Sequence, residues 1–307
     1  MLLVDDTDID PPRRALLNSE KHRAAHRPRG RLIRAITRPP FRDDLGHKGW
    51  LGRLSRAQPH IVRHLHLKIV GWPQWPRPIR IAFLSDFHTG SHAGDVARLN
   101  AIVAEASRFV PDVVLFGGDY VNMQPFGSGR IPPSMIAAIL SRVVAPLGRF
   151  AVLGNHDYVY GERAVADALQ RHAIKVLSHE HSTMQFQNHS VDIVGIPDAH
   201  IARTESYASL AEILPDRPTI VLAHDPVWFA HVPPGPHLTL AGHTHGGQIR
   251  FPGIGIIRNA SKAPLRWSHG LIRERGRYLY VTSGLGTSGV PLRWGVPPEF
   301  AVLDVTG

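Results

Sequence analysis

The chain has no cysteine among its 307 residues, which excludes both a disulfide framework and any thiolate metal site. A bound metal would have to be held by His, Asn, Asp or Glu. Long apolar runs are missing as well. No stretch approaches the roughly 18 residues that a membrane-spanning helix requires. Arg13-Arg14 is followed by Ala-Leu-Leu-Asn-Ser-Glu-Lys-His-Arg, which lacks the apolar core of an export signal, so a twin-arginine leader is rejected. No internal repeat of fixed period is present. These absences lead to the expectation of a cytoplasmic protein without a signal peptide or transmembrane helix.

What the sequence does have is an uneven charge. Residues 1–78 hold 16 Lys and Arg against 7 Asp and Glu, whereas the remainder holds 19 against 18. The basic character therefore belongs to the first quarter of the chain. Residues 1–58 show no sustained apolar periodicity and are expected to form a disordered or surface-attached arm, followed by one catalytic domain over 59–307. Between Pro11 and Arg42 ten Lys and Arg face a single acid, Glu20. Such a run suits an anionic membrane surface, and Trp50, Leu51, Leu54, Trp72 and Trp75 are candidates for interfacial contacts there. Nucleic acid is disfavoured as a partner, because the arm has no interleaved aromatics and no reading motif.

From His60 onward the pattern is that of an α/β domain. His64–Ile69 alternates polar and apolar residues, as a half-buried edge strand does, and His60, His64 and His66 read as its wet face. Apolar strands are expected at Ile79–Leu84, Val113–Phe116, Arg149–Leu153, Ile174–Leu177, Val191–Ile196, Thr219–Ala223, Leu238–Ala241, Tyr278–Thr282 and Phe300–Val305. Helices are expected around Leu99–Val110, Ser134–Val143 and Gly161–His172. Strand and helix alternate in the first half and strands dominate the second, which argues for sheets covered by helices.

Five of these strands end in residues suited to metal binding: Asp86-Phe87-His88, Gly118-Asp119, Asn155-His156, His224 and His243-Thr244-His245. In open α/β folds ligands bind at the carboxyl ends of the strands. One Asp after a strand is an ordinary turn former. Five such ends in one chain are not explained by turn chemistry.

This set, in this order, resembles the calcineurin-like metallophosphoesterases, whose motifs run D-x-H, G-D, G-N-H-D/E, H and G-H-x-H. The surrounding residues Leu84-Ser85-Asp86-Phe87-His88, Gly242-His243-Thr244-His245-Gly246-Gly247-Gln248 and Ser283-Gly284-Leu285-Gly286-Thr287-Ser288-Gly289 are similar to its YkuE-like bacterial branch. The resemblance covers residues 78 to 305. It implies a four-layer αββα sandwich of two mixed β-sheets flanked by helices. It also implies two divalent metal ions, manganese first, with iron, zinc or cobalt as alternatives. Asp86, His88 and His245 would hold one, Asn155, His224 and His243 the other, and Asp119 would bridge them. His156 would protonate the leaving oxygen. Two cations would clamp a phosphoester or pyrophosphate and ready a hydroxide for attack. Relatives of this branch act on UDP-2,3-diacylglucosamine, and others in the superfamily on cyclic nucleotides or phosphomonoesters.

Two features qualify the resemblance. Phosphoprotein phosphatases of the superfamily carry a carboxylate three residues after the bridging Asp, where this chain has Asn122, so a phosphoprotein substrate is disfavoured. Gly284, Gly286 and Gly289 form either a loop over the site or a plain turn, with Arg293, Arg203 and Arg250 as candidates for meeting an anion. A non-catalytic scaffold would be expected to have lost ligands or His156, and none is lost.

Overall fold

The computed structural model describes residues 57–123, 129–199, 204–256, 258–289 and 291–307. Residues 1–56 of the expected arm, with Trp50, Leu51 and Leu54, lie outside the described residues, as does Arg203.

Fourteen strands and four α-helices are seen among the described residues. The first half runs β1 (Ile61–Lys68), β2 (Ile79–Leu84), α1 (Asp95–Arg108), β3 (Val113–Phe116), α2 (Pro133–Leu140), β4 (Arg149–Ala151), α3 (Asn155–Arg171) and β5 (Lys175–Val176). The second half runs β6 (Glu180–Phe186), β7 (His189–Ile196), α4 (Thr204–Ala211), β8 (Thr219–Ala223), β9 (His237–Ala241), β10 (Arg250–Phe251), β11 (Gly255–Ile256), β12 (Gly270–Glu274), β13 (Arg277–Val281) and β14 (Glu299–Thr306).

The strands form two six-stranded sheets, ordered β1-β14-β2-β3-β4-β5 and β12-β13-β9-β8-β7-β6. Both are mixed. In the first, β14 runs antiparallel to β2, and the other neighbours are parallel. In the second, β12 and β6 are the antiparallel edges of a parallel centre.

Alternation along the strands builds the layers. From β2, Ile79, Ile81 and Phe83 point between the sheets, where they meet Ile220 and Leu222 of β8 and Leu238 and Leu240 of β9. Ala82 and Leu84 point the other way, onto Leu99, Ile102, Val103 and Ala106 of α1 and onto Ile136 and Leu140 of α2. On the far side of the second sheet, Val221 and Ala223 pack on Leu210 of α4 and on Trp228 of the short 3-10 turn Pro226–His231. The order helix, sheet, sheet, helix is the four-layer sandwich that the family resemblance implied.

Two differences from the sequence reading have physical causes. Helix α3 begins at Asn155, six residues before the expected start, because Gly154 is its N-cap and Asp157 accepts the Gly154 N–H at 2.9 Å. Gly161, taken as the start, is a kink inside it at φ 147°. Trp72 and Trp75 are not interfacial. They are 4% and 8% exposed, stack edge to face, and Trp72 Nε1 donates to the Pro236 carbonyl at 2.8 Å. They pack into the inter-sheet core.

Candidate metal centre

The parallel strands β2, β3, β4, β8 and β9 all deliver their C-terminal ends to one edge of the sandwich. Hydrogen bonds lock these ends together: Asp86 N–H to Gly118 O at 2.9 Å, His88 N–H to Asp119 O at 2.9 Å, and Gly242 N–H to His224 O at 2.9 Å. His224 Nδ1 pairs with Gly117 O at 2.7 Å and so ties one sheet to the other.

All eight residues singled out in the sequence are found at this edge. His88 Nε2 lies 3.1 Å from His245 Nε2, which is 3.6 Å from Asp86 Oδ1. His224 Nε2 lies 3.2 Å from His243 Nδ1 and 3.4 Å from Asn155 Oδ1. Asp119 Oδ2 sits between the two groups, 3.4 Å from His88 Nε2 and 3.5 Å from His224 Nε2. Its Oδ1 accepts the His156 backbone N–H at 2.9 Å, so the N-terminus of α3 fixes the carboxylate. The His156 ring stands edge-on to His88, with centroids 4.5 Å apart.

The donor set suits a pair of cations. Two ligands bound at about 2.0–2.1 Å to one ion and separated by about 90–110° lie about 3 Å apart, close to the spacings seen here. His224 keeps Nδ1 on a carbonyl, which leaves Nε2 to face the cluster. Burial holds the His88 and His245 rings well below their ordinary pKa, with their lone pairs available at neutral pH. Burial pushes the Asp86 carboxyl up to about 6, against the pull of His224. Burial would also raise Asp119, yet His224, His156 and His88 draw it well below the carboxylate range. His224 itself, although buried, is raised well above the usual value by Asp119. The site thus buries two carboxyl groups, Asp86 and Asp119, whose charge bound cations would neutralise.

The backbone is specialised to make this arrangement. Asp86, His88, Asp119, His243 and His245 all have positive φ, between 40° and 65°. Such left-handed, non-glycine residues cost of order 1–3 kcal/mol each and cluster at functional sites. Two glycines make room. A Cβ on Gly154 would lie 2.2 Å from Asp119 Oδ1, and one on Gly242 would lie 2.2 Å from Asp86 Oδ2.

Some site residues carried no role in the sequence reading. Asp157 is fully buried and accepts N–H groups from Asp119, Tyr120 and Gly154 at 2.8–2.9 Å, joining the ends of β3 and β4. Its signal was the fourth letter of the G-N-H-D motif. Asp198 and Asp225 group with His243, and Asp225 is the residue next to His224 in sequence. Asp198 carried no sequence signal.

Arg293 corrects the expectation of an anion-binding side chain. It is 3% exposed and donates to the carbonyls of Ser283, Gly284, Gly286 and His245. Burial lowers it to about 10, so it remains charged and staples the glycine-rich segment in place. That segment packs on the end of β2: Leu285 N–H donates to Ser85 O, and Gly286 N–H to Asp86 O. Asn122 is buried and donates to the Gly90 and Gly129 carbonyls.

Comparison with known proteins agrees with this geometry. The family model for calcineurin-like phosphoesterases matches residues 79–247, which span all five strand ends. The chain belongs to the calcineurin-like phosphoesterases. Within that family it is 31% identical over 240 residues to phosphodiesterase YaeI of Escherichia coli, covering 74% of this chain and 82% of that one. It is 25% identical over 227 residues to the metallophosphoesterase YkuE of Bacillus subtilis, covering 73% and 76%. No branch of the family is singled out by these figures, so the YkuE-like placement is not established. Among solved structures, the NAD nucleotidase of Haemophilus influenzae aligns at TM-score 0.44 and 14% identity, over 68% of this chain and 50% of that one. The chain spans about half the length of that protein.

Proposed function

We propose that this calcineurin-like phosphoesterase is a dinuclear metal-dependent phosphohydrolase acting on phosphodiester or pyrophosphate bonds. The observation that carries the reading is the position of Asp119 Oδ2, within 3.5 Å of a buried imidazole nitrogen from each of two groups of donors. Asp86, His88 and His245 would hold one ion, Asn155, His224 and His243 the other, and Asp119 would be shared between them. Oxygen and nitrogen donors without thiolate suit manganese, iron, zinc or cobalt. When bound, two such ions neutralise phosphoryl oxygens and lower the pKa of water from about 16 toward 7.

The protein's own groups do the rest. The N–H of His156 fixes Asp119, and its ring lies beside the donors, placed to give a proton to the leaving oxygen. The three N–H bonds to Asp157 keep Asp119 and Asn155 in register. A diester or pyrophosphate is favoured over a monoester by Arg293. The guanidinium that would offset the second charge of a terminal phosphate is taken up by carbonyl oxygens. A lipid-linked nucleotide such as UDP-2,3-diacylglucosamine belongs to the pyrophosphate class. The alternative substrate is a cyclic nucleotide.

Manganese-loaded protein assayed on bis(p-nitrophenyl) phosphate, p-nitrophenyl phosphate and nucleoside diphosphate esters tests the reading. Turnover of the diester or the pyrophosphate above the monoester is expected, with loss on chelation and recovery on adding metal. Equal activity after exhaustive stripping, or turnover of the monoester alone, would contradict it.

A further inference from the structure

Beyond the metal centre, the turn that carries His243 and His245 runs directly into the hairpin β10–β11. The tip of that hairpin is exposed throughout, with Phe251 44% and Ile254 74% accessible. Beside it, Leu292 and Trp294 are 51% and 59% accessible. Backbone bonds join the two segments: Arg250 N–H to Trp294 O at 2.7 Å and Trp294 N–H to Gln248 O at 3.0 Å. The pair is held firmly to the site. Gly247 packs so closely on Ile256 that a Cβ there would lie 2.3 Å from Ile256 Cγ2, and Arg293, between Leu292 and Trp294, is anchored inward.

Chains that stay in water rarely expose large apolar side chains in such a group. The charge around it has one sign. From Pro226 to Pro298 there are eight Lys and Arg and a single acid, Glu274, which is paired with Arg266. Arg250, Arg258 and Lys262, on and just after the hairpin, are exposed. A second copy of the chain would set two surfaces of like charge against each other. Exposed Trp and Phe among basic residues match the headgroup region of an anionic bilayer, where apolar rings insert and cations meet phosphate.

We propose that the Phe251–Ile254 tip and the Leu292–Trp294 turn dock the protein on an anionic lipid bilayer, with the metal centre held at that surface. This goes beyond the hydrolase reading, and its test needs no turnover, so either can fail alone.

Because the chain has no cysteine, one introduced thiol can be labelled uniquely. The full chain carrying Ile254→Cys, labelled with an environment-sensitive dye, is mixed with phosphatidylglycerol-containing vesicles and with pure phosphatidylcholine vesicles. Leu292→Cys provides a second reporter should the first disturb the hairpin. Val144→Cys, 75% exposed just before β4 and so at the end of the strands away from the site, is the control. A blue shift and quenching by lipid-borne quencher are expected at 254 and 292 on the anionic vesicles, weakened by salt, with none at 144. Silence at 254 and 292 on the anionic vesicles, whether or not they sediment the protein, would overturn the proposal. An equal response at 144, or on pure phosphatidylcholine, would do the same. A shift that grows with protein concentration without vesicles would identify a second copy as the occupant instead.

Discussion

At the scale of single residues, the roles of Asp119 and His156 separate cleanly. Asp119 offers a side-chain oxygen to both halves of the centre, so Asp119→Ala should empty it. His156 lends Asp119 only a backbone N–H, which an alanine also supplies. His156→Ala is therefore expected to keep its metal while turnover falls about 10²–10⁴-fold. Elemental analysis beside steady-state rates checks both, and loss of metal from His156→Ala would contradict the assignment. Gly242→Ala probes the packing directly. Its Cβ would press on Asp86, so the variant should fold, by circular dichroism, yet bind less metal than the parent. The motif letters were legible because metal chemistry restricts residue type, while the succession of strands β2, β3, β4, β8 and β9 sets their order. Arg293 was misread for the opposite reason: an arginine near a site looks the same in sequence whether it faces an anion or four carbonyls.

Among the elements, β14 carries an unusual burden. It lies between β1 and β2, and its first residue, Glu299, is buried against Arg63, His269 and Tyr280. Burial alone would raise this carboxyl, but the hydrogen bond from His269 and the contacts with Arg63 and Tyr280 lower it from 4.5 to about 2. A depressed folded-state pKa gives stability that is present above the unfolded value and lost as pH falls through the folded one. Glu299 should thus contribute about 3 kcal/mol near neutral pH, declining between about pH 4.5 and 2. Denaturant unfolding of the parent and of Glu299→Gln should show a gap that narrows as the medium is acidified. A gap independent of pH would contradict this. The strand spans were readable from apolar runs, and the start of α3 was not. Its first turn is dictated by Asp157 reaching back to Gly154, a contact that hydrophobic periodicity does not encode. Strand β6 was missed because its Glu180, His181, Thr183 and Gln185 give an edge strand with little apolar content.

For the whole molecule, the first described strand depends on the last. β1 pairs along its full length with β14, Ile61 opposite Glu299 through Lys68 opposite Thr306. Removing residues 1–70 should accordingly lower the melting temperature, whereas removing residues 1–56 leaves this pairing intact. The four layers were implied by the family resemblance more than by the residues, since sequence periodicity does not say which strands share a sheet. The proposed metal centre belongs to this scale as well, because its candidate ligands come from both sheets and a bound ion would cross-link them. Binding at 1,000 times Kd adds about 4 kcal/mol per site, so adding manganese to stripped protein should raise the melting temperature by about 10 °C or more.

The central claim, that one carboxylate joins two ions, is tested most directly by counting metals. Stripped protein is titrated with manganese and the bound metal measured per chain, for the parent and for Asp119→Ala. Two equivalents are expected for the parent, and clearly fewer than one for the variant. A parent that saturates at one equivalent, or a variant that still holds two, would contradict the shared-carboxylate centre.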